Sequence, residues 1–262
     1  MQNSSSGFYI GYNYAYGSMS APTNPVVTWM FTDNHGPHDL MNLWESNIVE
    51  MFGSDGYFGG SSHGTALRNY FTGYHPLSGN RGNPVQFNRL SYHYSLVGNV
   101  LGSVQMNPSK YAEAADGCGG SCTGIYRLGY PNIGNAGLTD VTGNAVPGGM
   151  KYPDSKVAST LLRWGNYDYF NDATQWNVSE IPGGVSIPTD QIIPKSYYYS
   201  SRPAWFPANA PWPAIGPDVT NGSGDASGHV NKIPSQLCWE SRNLVAGGSF
   251  NASDAILPAA QA

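Results

Sequence analysis

The sequence predicts an all-β protein, a right-handed parallel β-helix with an irregular C-terminal tail packed along it. Three observations carry this prediction: composition, a recurring Asn-centred unit, and the interval at which the unit returns. The chain of 262 residues holds 33 Gly, 19 Pro and 18 Tyr, and only 11% of its residues are charged. Few Lys and Glu disfavour long surface helices, and abundant Gly, Pro and Tyr suit short strands joined by tight turns.

The unit reads GYNYAYG, ESNIVEMFG, LRNYFTG, LVGNVLG and RWGNYDYF, centred on Asn13, Asn47, Asn69, Asn99 and Asn166. The step from Asn47 to Asn69 is about 22 residues, the size of one solenoid coil, and the neighbouring steps read as coils lengthened by a loop. The step from Asn99 to Asn166 is close to three such coils. Ile48, Tyr70, Val100 and Tyr167 follow the Asn directly, with Val49, Phe71 and Leu101 next, and such pairs have strand character. Gly98 and Gly165 precede the Asn, while Gly17, Gly53, Gly73 and Gly102 follow it as turn punctuation. Coils of a β-helix stack about 4.8 Å apart, so a left-handed Asn in the bend would bond to its counterparts above and below as an asparagine ladder. The competing architecture is a β-sandwich of short strands.

Residues 1–170 are thus expected to form the coils, and residues 171–262 the tail. Within the tail, SYYYSSRPAWFPANAPWPAIGPD carries Pro203, Pro207, Pro211, Pro213 and Pro217, which prevent regular strands or helices there. Trp205, Phe206 and Trp212 are expected to cover the coils; Trp205 and Trp212 are also the candidates for stacking on a sugar. The final NASDAILPAAQA reads as a loose end.

The segments NLWESNIVEMFGSDGYFGGSSHGTALRNYFTG (Asn42–Gly73), LVGNVLG, IYRLGYPNIGN, VASTLLRWGNYDYF and SRPAWFPANAPWPAIGPDV resemble the C-terminal part of bacterial right-handed parallel β-helix repeat proteins of pectate-lyase-like architecture. The resemblance runs over most of Gly11–Glu240 and implies an exported, carbohydrate-associated protein. It also implies N-terminal coils and a cap that this sequence lacks. The first coil is therefore expected to be exposed, through truncation or as an end that stacks on a partner, and self-association through that uncapped end follows.

With 12 Lys+Arg, a net charge of -5 and no basic run, the chain has no electrostatic footprint for nucleic acid. No apolar run is long enough to span a bilayer, and the opening MQNSSSG lacks the basic and apolar regions of a signal peptide. Poverty in charge with abundant Tyr, Asn, Ser and Gly nevertheless suits a secreted or cell-surface protein whose N-terminus is incomplete. Cys118 and Cys122 in DGCGGSC could close a small disulfide loop, leaving Cys238 over, or all three could be free thiols.

Register narrows the search for chemistry. Asp33 and Asp55 stand at the same offset before Asn47 and Asn69, the Asn of consecutive coils. Stacked carboxylates would either hold Ca²⁺ between them or share a proton, and both states serve on a polysaccharide: charge neutralisation for a lyase, an acid–base pair for a hydrolase. His63 and His93 likewise share one offset before Asn69 and Asn99, a second expected column. Arg68 adjoins its Asn, and a pair between Glu45 and Arg68 is expected to link two coils; near a uronate the arginine would stabilise a carboxylate or act as a base. DNHGPHD gathers Asp33, His35, His38 and Asp39, but Gly36-Pro37 prevents helical spacing, so it reads as a polar turn more readily than as a metal site. No G-x-S-x-G elbow, P-loop, H-E-x-x-H or dinucleotide fingerprint is present.

Two functional classes follow. One is an extracellular module contacting polysaccharide, as a lyase or hydrolase with a groove of Asp33, Asp55, His63, Arg68 and His93. The other is a non-catalytic surface or adhesive scaffold, or a fibre component.

Overall fold

Each Asn-centred unit contributes one short strand before its Asn, and all but the first contribute another beside or after it; the Asn13 unit gives only a single bridge at Tyr14. In the computed structural model, which describes residues 5–17, 38–54, 59–112, 123–130, 154–188, 190–224 and 227–241, these strands assemble into separate sheets. The strands before the Asn are β1 (Tyr9–Gly11), β2 (Leu43–Glu45), β5 (Thr65–Leu67), β8 (Ser95–Val97) and β12 (Leu162–Trp164), in the order β1-β2-β5-β8-β12 and all parallel. Those after it are β3 (Ile48–Val49), β6 (Tyr70–Phe71), β9 (Val100–Leu101) and β13 (Asn166–Asp168), in parallel register, with β14 (Ala173–Gln175) antiparallel beyond β13. A third sheet runs β10-β11-β7-β4, from β4 (Phe52–Ser54), β7 (Val85–Asn88), β10 (Lys110–Ala112) and β11 (Gly124–Tyr130).

The five Asn side chains form one continuous column. Each Nδ2 donates to the Oδ1 of the next: Asn13 to Asn47 at 2.9 Å, Asn47 to Asn69 at 2.8 Å, Asn69 to Asn99 at 3.0 Å and Asn99 to Asn166 at 2.9 Å. The backbone N–H of each donor residue bonds the same oxygen at 2.9 to 3.0 Å. The left-handed residue is the one before each Asn: Tyr12, Ser46, Arg68, Gly98 and Gly165 have φ of 58°, 57°, 54°, 62° and 64°. A left-handed non-Gly residue costs roughly 1–2 kcal/mol, which the paired bonds of the column offset.

Two expectations are corrected. The interval from Asn99 to Asn166 is one step of the column, because β12 pairs directly with β8 and β13 with β9; the residues between make an excursion that includes β10, β11 and a short helix α1 (Ser155–Thr160). More broadly, the all-β right-handed parallel β-helix gives way to a mixed, mostly β architecture. Its three sheets hold five, four and five strands and one contains an antiparallel pair. The order of the third sheet departs from chain order, and helices α1 and α2 (Pro234–Ser241) are part of the structure. No closed solenoid is formed by the described residues. The physical reason lies in the unequal intervals: the sheets flanking the Asn column follow the units in chain order, where the column's side-chain bonds reinforce strand pairing, whereas the third sheet collects its strands out of order.

Alternation in the two-residue strands divides the apolar residues. Val49, Phe71 and Leu101 join Trp44, Phe52, Ala66, Phe87 and Leu96 in the central core, while Ile48, Tyr70, Val100 and Tyr167 face the opposite way. The tail covers them with Phe206, Ala214, Ile215, Val230 and Ile233. Prolines exclude long strands here, yet the tail is anchored: Ile215 bridges Val230, and α2 follows at Pro234. At the last step of the column the inward positions turn polar, since Arg163 stands in register with Leu96 and Asp168 with Leu101. Arg163 pairs with Glu180 at 3.2 Å and lies over the rings of Tyr111 and Tyr126, ending the apolar core with a charge-paired layer. Among the described residues, no helix is long and apolar enough to cross a membrane.

Candidate functional site

Arg68 is fully buried and spends all five of its N–H groups. Nε donates to Pro194 O at 2.7 Å, the two terminal nitrogens to Ile215 O and Ile193 O at 3.0 Å, and both also grip Asp218 at 2.6 and 2.7 Å. Burial pushes the Asp218 carboxyl up, but the guanidinium bonds outweigh it and hold the group below its ordinary value. Arg68 therefore ties the tail to the column and has no donor left for a substrate. The expected Glu45–Arg68 pair gives way to different bonds. Glu45, also fully buried, accepts from the Ser196 hydroxyl at 2.5 Å and the Tyr197 N–H at 2.8 Å. Desolvation pushes its carboxyl up, against those bonds and the field of Arg68.

His63 and His93 do form a column, their rings stacked 5.0 Å apart and 24° from parallel, at an exposed corner remote in sequence from the tail contacts of Arg68. Asp33, Asp55, His35, Cys118 and Cys122 lie outside the described residues, and with them the expected Ca²⁺ pair. His38 is exposed at a left-handed turn, whereas Asp39 is buried and accepts the Ser5 N–H. No group of three or more His, Cys, Asp or Glu side chains converges among the described residues. Cys238 is a free thiol. Trp205 and Trp212 serve the tail: Trp205 meets Tyr12 edge-on at 4.9 Å, and the Trp212 indole donates to the Tyr12 hydroxyl at 2.7 Å. Trp205 also borders a cavity of about 230 Å³ formed by Arg202–Ala208.

What composition did not locate is a tyrosine-rich cleft of about 150 Å³ where the tail stops short of covering the sheet of β3, β6 and β9. Its floor follows from register. Tyr14 bridges Ile48, and Ile48 pairs with Tyr70, so three large side chains step across neighbouring strands; two residues on, Tyr16, Glu50 and Thr72 repeat the step. Tyr74, Pro76, Ser103 and Gln105 extend one side, and Gln236 of α2 with Gly224 closes the other. Trp239, one turn beyond Gln236, stands 6.4 Å from Tyr14 and 6.0 Å from Tyr16.

The polar groups of the cleft include two largely buried side chains, Glu50 and Gln236. Glu50, 2% exposed, accepts the Gly17 N–H at 2.7 Å. Gln236, 8% exposed, donates from Nε2 to Glu240 at 3.0 Å, while its buried Oε1 has no hydrogen-bond partner. A buried unsatisfied acceptor costs about 1–3 kcal/mol. The hydroxyls of Thr72 and Ser103 are committed locally, to Tyr74 O at 3.1 Å and Thr72 O at 2.9 Å. Aromatic faces beside orienting acceptors make a surface that receives a flat, hydroxyl-bearing ring. The signal in sequence was the run GYNYAYG itself, in which Tyr14 and Tyr16 alternate on one face; their partner α2 comes from the opposite end of the chain and no local pattern joins them.

The chain matches no family model, no curated protein and no solved structure.

Proposed function

We propose that the protein is a non-catalytic carbohydrate-binding protein of the surface or secreted class, which takes a neutral polysaccharide with one sugar ring seated in the Tyr14–Tyr16–Gln236 cleft. The single observation that carries this reading is a cleft lined by Tyr14, Tyr16, Tyr70 and Tyr74 with Glu50 and Gln236 at its wall. A sugar supplies an apolar ring face to cover Tyr16, which is 44% exposed, and hydroxyls to meet the polar side chains of the lining. A neutral glycan is favoured because its hydroxyls can donate beside Glu50, whereas a uronate carboxylate can only accept. At about 150 Å³ the cleft is smaller than the roughly 300–1,000 Å³ of a drug-sized pocket, so it holds one ring while the rest of the polymer lies along the surface.

The reading is tested by calorimetry and tryptophan fluorescence against a panel of neutral and acidic polysaccharides. Wild type is expected to bind a neutral member, with Trp239 reporting the event. Tyr16→Ala is expected to weaken that binding by about 1.4 kcal/mol, a factor of roughly ten. Binding confined to acidic polymers, or affinity unchanged by both Tyr16→Ala and Gln236→Ala, would sink it.

A further inference from the structure

A second corner of the molecule repeats the left-handed geometry and leaves its side chains in solvent. Leu40, Ser62 and Tyr92 are joined by parallel bridges, and the residue after each is left-handed: Met41, His63 and His93 have φ of 56°, 56° and 61°. Equal backbone angles in adjacent strands send the three side chains the same way, one strand spacing of about 4.8 Å apart. The two imidazoles are stacked 5.0 Å apart, and Met41, next in the row beside His63, is 65% exposed. Its side chain thus stands largely in solvent, in line with two histidines.

We propose that Met41, His63 and His93 form a surface copper site that takes Cu(I), with the imidazoles as nitrogen ligands and the thioether as the third. The His63 Nδ1 lies 2.9 Å from the Ser62 hydroxyl, which occupies that nitrogen and leaves Nε2 for a metal. Rings tilting inward from their 5.0 Å separation bring the two outer nitrogens to the about 4 Å that two bonds of roughly 2.0 Å span. A thioether with two imidazoles is a soft set, suited to Cu(I) and poorly suited to Ca²⁺ or Mg²⁺. Charge points the same way. The Lys156 ammonium lies 4.5 Å over the ring of Tyr92, the neighbour of His93, so a monovalent ion meets less repulsion than a divalent one; Asp154, bonded to the Tyr92 hydroxyl at 2.7 Å, offsets part of it.

The test is anaerobic competition for Cu(I) between the full chain and a chromophoric chelator, with Ni(II) in parallel. Asn tolerates the left-handed region, so His63→Asn/His93→Asn removes both ligands without straining the corner. With the cysteines alkylated beforehand, wild type is expected to hold one Cu(I) that this double variant does not, and Met41→Leu to weaken Cu(I) by about tenfold while leaving Ni(II) unchanged. Equal Cu(I) retention by wild type and the double variant overturns the site; equal Cu(I) affinity in Met41→Leu overturns the thioether ligand. Copper-edge X-ray absorption of loaded wild type reads the same question without a variant: two nitrogen scatterers and one sulfur are expected, and a shell of oxygen alone contradicts the assignment.

Discussion

Tyr12, Ser46 and Arg68 at one corner, and Met41, His63 and His93 at the other, hold nearly the same left-handed backbone, with φ between 54° and 61°. The first corner leads into the Asn column and lies beneath the tail; at the second, Met41 and both histidines face solvent. Backbone geometry is therefore not what separates them. Register imposes the bend at both, and what lies above the bend decides whether the side chains there serve stability or are free to bind. The largest test removes the column. Asn69→Ala strips the oxygen that serves both Asn47 N–H and Asn47 Nδ2, and the amide that serves Trp44 O and Leu67 O. With several buried groups orphaned at about 1–3 kcal/mol each, a loss of about 4 kcal/mol is expected in urea denaturation. A loss below about 1 kcal/mol would mean that the column is an ornament of the register and not its cause.

Arg68→Met asks whether the tail depends on the covered corner. Met41 shows that methionine is accommodated in this conformation, so the backbone need not change. The variant leaves Asp218 and three carbonyls, from Ile193, Pro194 and Ile215, without their donor. A loss of about 3 kcal/mol is expected, with faster proteolysis within residues 190–218. Unchanged proteolysis would show that apolar contacts of Phe206 and Ile215 hold the tail alone.

Much of this contrast was legible before any coordinates. The Asn residues and the apolar pairs that follow them identified the column and the short strands beside it, because those signals are local and repeat. The His63 and His93 column was legible for the same reason. Arg68 forms an ion pair, but with Asp218 and not Glu45, because its partners come from the far part of the chain, within a Pro-rich stretch whose path no periodicity fixes. The closed solenoid failed for a related reason: the span from Asn99 to Asn166 can be read as three coils, and only strand pairing reveals a single step. The cleft was half visible, since Tyr14 and Tyr16 alternate in sequence while Gln236 and Trp239 arrive from the other end of the molecule's sequence.

Acid separates the corners further. Burial raises the Glu45 carboxyl above its ordinary 4.5. A carboxyl raised in the folded state adds stability that is complete below its unfolded value and is lost as pH rises through the folded one. Wild type is thus expected to gain on Glu45→Gln as pH falls from neutrality towards about 4.5, since the amide does not titrate. Melting temperatures of the two proteins across that range read the difference directly, and common contributions from Asp168 and Glu180 cancel in it. Parallel curves would place the Glu45 carboxyl at its unfolded value.

The smallest effect belongs to the open corner, and its smallness is the point. His63→Asn removes a ring stacked on His93 and a contact with the Ser62 hydroxyl, both exposed to water, and replaces the residue with one that adopts a positive φ readily. Stability is expected to change by less than about 0.5 kcal/mol. Metal-free wild type and variant should therefore melt together and differ only when copper is supplied, since an ion bound by the folded state alone stabilises it in proportion to its occupancy. A large loss without metal would make the imidazole column a second structural ladder, and the distinction between a covered corner that holds the fold and an open one that binds would fall with it.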